Sequence, residues 1–350
     1  MQQNGDILEA LKDSEARAAK AAQQAVIIQP GALGDCILTL PLAEFIKNTL
    51  DLGRIDFLSH TEYTSILPGR TCVDGVRSID SIDLHRLFVK SDEFDLGDRD
   101  PLMDAFAGYQ WIVTFLGQAN SDFEQNLIFT ANCSHSAEAI TLQLKPPAGY
   151  HGHICDFYIR QFVEQNILCG EFTESNHQKT LITPGRHDIS RGRKLLQEIA
   201  IDTAEKVVVI HPGTGTADKN WGLENFYRLA AQLQAQGLQT LFLLGPTELD
   251  KLTAAEFENL QAVAPCMSKL SLTQALALLS SVNVFIGNDS GITHLAAALG
   301  IKTLAIFGPT EPSVYKPVGP AVKVFSTNPE SFAEPCPATL QKLLETIRQM

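Results

Sequence analysis

The chain has 350 residues, 45% hydrophobic content and a formal net charge of -13. That length supplies a large core and is usually divided into two domains, while the acidic excess excludes a general nucleic-acid surface, which needs a basic face. The charge is uneven: residues 1–180 carry 13 Lys/Arg against 25 Asp/Glu (-12) and residues 181–350 carry 14 against 15 (-1), so the second half is the better host for an anion.

Residues 1–24, MQQNGDILEALKDSEARAAKAAQQ, read as a polar helical or disordered arm and lack the apolar stretch and cleavage site of a secretory signal. The strand Ala25–Ile28 feeds the turn QPGALGD and an apolar helical pattern, CILTLPLAEFIKNTL, a β-turn-α unit. Strands are expected at 54–60 and 76–83, and WIVTFLG (111–117) is a continuous apolar run of the buried parallel type. Between the last two lies the acidic loop 91–104, read as solvated surface. Its Asp98-Arg99-Asp100 string is a metal-binding pattern when it follows an apolar strand; here it sits in a charge run, so no metal site is assigned.

The polar stretch 173–188 reads as the domain boundary. It separates an N-terminal domain over 25–180 from a second over 181–350, whose last helix can pack back on the first domain. After it come strands at 206–213, 238–246, 283–289 and 302–309, alternating with helices. This alternation implies parallel sheets with right-handed crossovers, and two such blocks imply an α/β protein of two Rossmann-like domains.

No apolar run reaches the roughly 20 residues needed to span a bilayer. The seven cysteines (36, 72, 133, 155, 169, 266, 336) show no zinc or disulfide spacing and read as buried thiols of a reducing, cytoplasmic compartment.

Ligands of open α/β sheets bind beyond the carboxyl ends of the strands, which singles out three turns. In the first, Gly31 and Gly34 allow a sharp turn and close backbone approach, and Asp35 opens a helix, where an N-cap carboxylate is the plain alternative to a chemical role. The second, His211-Pro212-Gly213-Thr214-Gly215-Thr216-Ala217-Asp218-Lys219, combines small residues, hydroxyls and a lysine, the groups a pyrophosphate needs. In the third, Asp289, Ser290 or Gly291 caps a helix ended by Gly300, and His294 lies one helical turn beyond Ser290, so hydroxyl and imidazole are expected to face the same space.

Taken in order, PGALGDCILTLPL, HPGTGTADKNW and NDSGITHLAAALGIKTLAIFGPTEP resemble glycosyltransferase family 9, the ADP-heptose:lipopolysaccharide heptosyltransferases and their relatives. GHICDFYIRQF (152–162) resembles the helix before the domain crossover, so the likeness covers most of 25–325. It implies a GT-B architecture, two Rossmann-like domains with parallel sheets facing a central cleft, the acceptor held by the first and the nucleotide sugar by the second. By resemblance Asp35 is the general base of an inverting, metal-independent transfer of a sugar such as heptose, from a donor such as ADP-heptose, to a hydroxyl of a lipopolysaccharide-core or other glycan. Lys219 with Thr214 or Thr216 would hold the diphosphate, Asp289, Ser290, Gly291 and His294 would line the donor site, and Glu248 would hold the nucleoside.

No cofactor is implied beyond the donor itself. The partners are donor and glycan or glycolipid acceptor, with peripheral association at the cytoplasmic face of the inner membrane as one setting. Three features depart from the family pattern: the pyrophosphate loop TGTADK carries an extra small residue, Asp-Ser-Gly stands where Asp-Thr-Gly is common, and an acceptor half at -12 is a poor match to a phosphate-rich core. The alternative is a GT-B relative that binds a nucleotide sugar without transfer, non-catalytic or epimerase-like.

Overall fold

The computed structural model describes residues 23–166, 172, 174–326, 332–333 and 337–349. The arm assigned to 1–24 lies almost wholly outside them. The chain forms two compact units. The first runs through Ala32 and takes in Thr39–Ala148 and Cys155–Ser175; the second consists of Leu33–Leu38, Gly149–Ile154 and the chain from Asn176 onward. Against the expected division after residue 180, the second unit begins at Asn176 and also claims two short earlier segments.

The first unit holds a parallel sheet of β1 (Gln24–Gln29), β2 (Arg54–Ser59), β3 (Gly75–Ser78), β4 (Trp111–Thr114) and β5 (Glu138–Thr141), in the order β3-β2-β1-β4-β5. Ala25–Ile28 pair with Ile55–Leu58 on one side and with Trp111–Thr114 on the other. All four residues of the β1 run are buried, as expected of a central strand covered on both faces. Helices α1 (Leu33–Thr49), α2 (Thr61–Thr64), α3 (Pro101–Phe106), α4 (Asp122–Asn132) and α5 (Ile154–Gln165) follow these strands. One face of the sheet and α4 share a core of Val26, Ile28, Leu58, Ile112, Phe123 and Leu127. Pro41 lies inside α1, where it removes the rung to the Ile37 carbonyl.

The acidic loop is not wholly solvated. Asp100 is 7% exposed. Its Oδ1 accepts from the Leu102 amide at 3.0 Å and caps α3, while the Arg86 guanidinium donates to both of its oxygens at 2.8 and 2.7 Å. One carboxylate of the Asp98-Arg99-Asp100 string therefore serves the fold, a bidentate pair of the kind arginine favours.

The second unit holds β6 (Val207–His211), β7 (Gln239–Leu244), β8 (Cys266–Ser268), β9 (Val284–Asn288), β10 (Lys302–Phe307) and β11 (Val322–Ser326), in the order β11-β10-β9-β6-β7-β8, all parallel. Its helices are α6 (Arg186–Glu198), α7 (Leu223–Ala235), α8 (Pro246–Lys251), α9 (Ala254–Val263), α10 (Leu272–Leu279), α11 (Gly291–Ala298), α12 (Pro312–Tyr315) and α13 (Pro337–Arg348). The stretch 173–188, read as the domain boundary, thus runs into a helix at Arg186. Gly192 of α6 lies against the Ala277 carbonyl of α10, so close that an added Cβ would sit 1.9 Å from that oxygen. The last helix, α13, places Leu343 and Ile347 in the core of this second unit with Ile210, Phe226, Phe242 and Ile286, which is where its apolar face goes.

Of the cysteines, Cys36 and Cys155 are buried as expected, Cys72 and Cys266 are half-buried, and Cys133 is exposed at the end of α4; Cys169 and Cys336 lie outside the described residues. No helix among the described residues is long and apolar enough to cross a membrane.

Candidate functional site

In the second sheet the direction of winding reverses between β6 and β9, which are hydrogen-bonded neighbours. Ligands of doubly wound folds bind at the carboxyl ends of the strands at such a reversal. Both turns singled out in the second half of the sequence meet there. Asn288, fully buried at the end of β9, ties them together: its Oδ1 accepts from the Trp221 amide at 3.1 Å and its Nδ2 donates to the Pro212 carbonyl at 2.8 Å. Both ends of the 212–221 loop are thereby fixed to β9.

On that frame Lys219 and Asp289 form an ion pair, Nζ to Oδ2 at 2.8 Å, with Asp289 8% and Lys219 35% exposed. The other carboxylate oxygen lies 3.4 Å from Nε2 of the buried His294. Among the described residues the buried His294 Nδ1 meets no hydrogen-bond partner, so a ring carrying its proton on Nε2 suits both nitrogens. Burial alone would raise the pKa of Asp289. The His294 contact and the Lys219 charge outweigh it and hold the carboxyl down at about 2, from an ordinary 3.8.

A carboxyl with a depressed folded-state pKa stabilises the fold above its unfolded value and loses that contribution as pH falls through the folded one. The shift corresponds to about 2 kcal/mol at neutral pH. Asp289→Asn is therefore expected to be less stable than the natural protein at pH 7 by about that amount, with the gap shrinking as pH drops from 3.8 towards 2. Urea unfolding at a series of pH values checks this; a gap independent of pH would contradict it.

Ser290 is the N-cap of α11, its Oγ accepting from the Thr293 amide at 3.4 Å and lying 3.0 Å from the Thr293 hydroxyl. The His294 imidazole meets Asp289, while the Ser290 hydroxyl is engaged in capping its own helix. Thr214 is buried and donates to the Asp289 carbonyl at 3.2 Å, whereas Thr216 is exposed and hydrogen-bonds Asp218. Gly291 is needed for close approach, whereas Gly34 leaves room for an ordinary contact. A Cβ on Gly291 would lie 2.9 Å from Leu33 Cβ, and one on Gly34 would lie 3.4 Å from His294 Cδ2, all within the second unit. Neither Gly31 nor Gly34 adopts a positive φ; Gly31 donates its amide to Gln29 Oε1 at 2.9 Å.

Asp35 is half-buried in the first turn of α1, inside the helix rather than at its N-cap. Its charge, after burial, pushes the Cys36 thiol up to about 12. The Tyr315 hydroxyl is likewise raised, by burial first and then by Asp35, with Asp289 adding to the effect and Lys219 opposing it. Asp35, Lys219 and Asp289 therefore share one electrostatic neighbourhood around this phenol.

After the adjacent strand β7, Glu248 occupies the first turn of α8, with Oε2 accepting from the Gly245 amide at 2.7 Å. It helps line a pocket with Pro212, Gly213, Thr214, Asn220 and Leu223. Gly213 is pressed against it: an added Cβ would lie 2.0 Å from Glu248 Oε1. His211, buried at the end of β6, donates from Nδ1 to the Leu243 carbonyl at 2.8 Å. Burial lowers its pKa, against the pull of Glu248 and of that hydrogen bond.

The sequence reading gave no role of their own to Asn288, His211 and Tyr315. Asn288 and His211 end apolar strands at the ligand edge, a placement that could have marked them; Tyr315, inside a short proline-flanked helix, gave no comparable signal.

Two parallel-sheet α/β domains, with these loops gathered at the switch point of the second, define a GT-B fold. Residues 173–342 match the family model described as Glycosyltransferase family 9 (heptosyltransferase). The chain is 21% identical over 354 residues to lipopolysaccharide heptosyltransferase 1 of Campylobacter coli, covering 93% of this chain and 98% of that protein. It is similar in fold to Escherichia coli ADP-heptose lps heptosyltransferase II, with a TM-score of 0.67 at 17% identity, covering 93% of this chain and 99% of that one. The same holds for Escherichia coli heptosyltransferase WaaC with ADP, with a TM-score of 0.63 at 16% identity over 92% and 99% of the two chains. The family match falls on residues 173–342, just under half of the chain, and over that part the chain is similar to glycosyltransferase family 9.

Proposed function

We propose that this protein is an inverting glycosyltransferase that moves a sugar, heptose by family, from an ADP-type nucleotide diphosphate sugar to a hydroxyl of a lipopolysaccharide-core or other glycan. The observation that carries the proposal is the Lys219–Asp289–His294 cluster at the switch point, beside a pocket walled by Glu248. A buried acid and a cation at the end of a strand, next to the N-terminus of α11, suit a diphosphate and the polyhydroxylated sugar attached to it. Glu248, a fixed acceptor, suits the hydroxyls of a ribose.

In this reading Asp35 takes the proton of the acceptor hydroxyl as its oxygen attacks the anomeric carbon. The bond to the diphosphate breaks on the opposite side, which inverts the centre. Lys219 and the free amides of α11 take up the charge that develops on the departing diphosphate. These groups supply the positive potential that a divalent cation supplies in other transferases, so transfer is expected to persist in EDTA. The place of work proposed is the cytoplasmic face of the inner membrane, where such glycolipids are built.

Calorimetric titration with ADP, UDP, GDP and their sugars, all in EDTA, tests the reading. Selective binding of the ADP type, weakened in Lys219→Ala, is the expected result; selective UDP or GDP binding would discard heptose, and no binding of any of them would discard the transferase. Gly213→Ala is expected to weaken ADP by roughly tenfold, because the new methyl and Glu248 Oε1 cannot occupy the same space. The same titration reads it, and unchanged affinity would remove Glu248 from the nucleoside site.

A further inference from the structure

Three strand ends stand side by side at the carboxyl edge of the first sheet: Gln29 of β1 is in register with Ser59 of β2, and Ser59 with Ser78 of β3. The turn that leaves β1 leads along the chain to Asp35, the proposed base. His60 and Asp80 follow the next two strands, so they sit one and two strand steps, each roughly 4.8 Å, from that turn. His60 holds the N-cap position of α2 but does not cap it; its Nδ1 lies 3.1 Å from Asp80 Oδ2 instead. Asp80 is held in turn by Ser78, whose Oγ accepts from the Asp80 amide at 3.3 Å. The Tyr63 ring stands edge-on to the imidazole, with 6.2 Å between centroids. An exposed His–Asp pair, with side chains 33% and 66% accessible, adds little to the stability of a fold.

Ligands of open α/β sheets bind at this edge, and the residue types found there define what they can be. A carboxylate such as Asp80 only accepts hydrogen bonds, a histidine that gives its Nδ1 proton to a carboxylate offers Nε2 as an acceptor, and a tyrosine adds a hydroxyl and an apolar face. These groups suit the hydroxyls and the C–H face of a pyranose. They do not suit a phosphate, which calls for cations. The turns after the five strands, residues 30–35, 60–65, 79–83, 115–121 and 142–148, carry Asp35, Glu62, Asp80 and Asp83 against one lysine, Lys145. Arg54 of β2 and Arg77 of β3 are engaged elsewhere, the first with Asp56 at 2.9 Å and the second with the Ala105 carbonyl.

We propose that His60, Tyr63 and Asp80 form an acceptor-binding subsite, and that the acceptor it takes is an uncharged glycan, recognised through its hydroxyls, rather than a phosphate-bearing one. The inference rests on the transferase reading above and narrows its acceptor. The acidic balance of the N-terminal half then acts on selection: it repels anionic glycans and leaves neutral ones unaffected.

The test uses the full chain, the donor that the calorimetric titration selects, and pairs of acceptors that differ in one group: the methyl glycosides of heptose, mannose, glucose and galactose, each beside its phosphate monoester. The uncharged acceptors are expected to be used with a kcat/KM at least about tenfold above that of their phosphate esters. Asp80→Lys is expected to lower that ratio by about tenfold, and His60→Ala to raise KM for the uncharged acceptor by roughly tenfold, while the ADP dissociation constant and the urea midpoint of both variants stay those of the natural protein. Equal or better use of the phosphate esters would overturn the proposal, as would transfer to none of these acceptors or an unchanged ratio in Asp80→Lys. A loss in His60→Ala that comes with a lowered urea midpoint would overturn it too, since it assigns the pair to the fold. If no nucleotide sugar binds, the transferase reading fails and this subsite with it; donor binding with the opposite acceptor preference removes the subsite alone.

Discussion

Asp35→Asn is expected to lower turnover by about 10³-fold, within the range that general-base catalysis contributes, while ADP affinity stays within about twofold. The carboxylate is placed by the first turn of α1 rather than by a flexible loop. Asparagine keeps the shape and can still accept a hydrogen bond, so the acceptor should bind; what is lost is the capacity to take the proton. The pattern to look for is a fall in kcat with KM for both substrates nearly unchanged, which marks an interaction made only in the transition state. Near-normal turnover would show that another group, or water, removes the proton.

Lys219→Ala is expected to lower kcat/KM for the donor by about 10²- to 10³-fold, as the loss of a principal stabiliser of a departing oxyanion does. A second effect has to be separated from it, because the substitution also strips Asp289 of its cation and leaves an almost buried carboxylate with His294 as its main partner. The single variant should therefore be less stable as well as slower. Combining it with Asp289→Asn removes the uncompensated charge, so the double variant should recover part of the unfolding free energy and none of the transfer. Recovery of both would mean that Lys219 acts on the fold alone.

Much of this was legible in the chain. Central strands such as Ala25–Ile28 and Val207–Ile210 are unbroken apolar runs because both their faces are covered, and such runs can be read without knowing their neighbours. The strands that escaped reading are β5, β8 and β11, of four, three and five residues, each at the margin of its sheet. With one side open, they carry Glu138, Ser268 and Lys323 among their apolar residues and present no run. Helix α6 escaped for a related reason: its charged residues outnumber the apolar ones, and part of its packing rests on Gly192, where contact depends on a missing side chain.

At the site, Asp35, Lys219, Asp289 and His294 were marked by their position after strands, and Glu248 by the family resemblance. Their partners were not. That His294 would turn to Asp289, and that Thr214 would give its hydroxyl to the Asp289 carbonyl, depends on the angle at which loops leave the sheet, which no spacing encodes.

The marginal strands have one more consequence. Parallel sheets end in rows of amides and carbonyls that invite another chain to add on, and a protein with this much apolar sequence is exposed to that route of self-association. Here β3, β5, β8 and β11 run for only three to five residues, and none is buried along its whole length. They offer an incoming strand a short template with little apolar surface behind it. The polar interruptions that hid three of them from a reading of the sequence are also what keep the two sheets from growing.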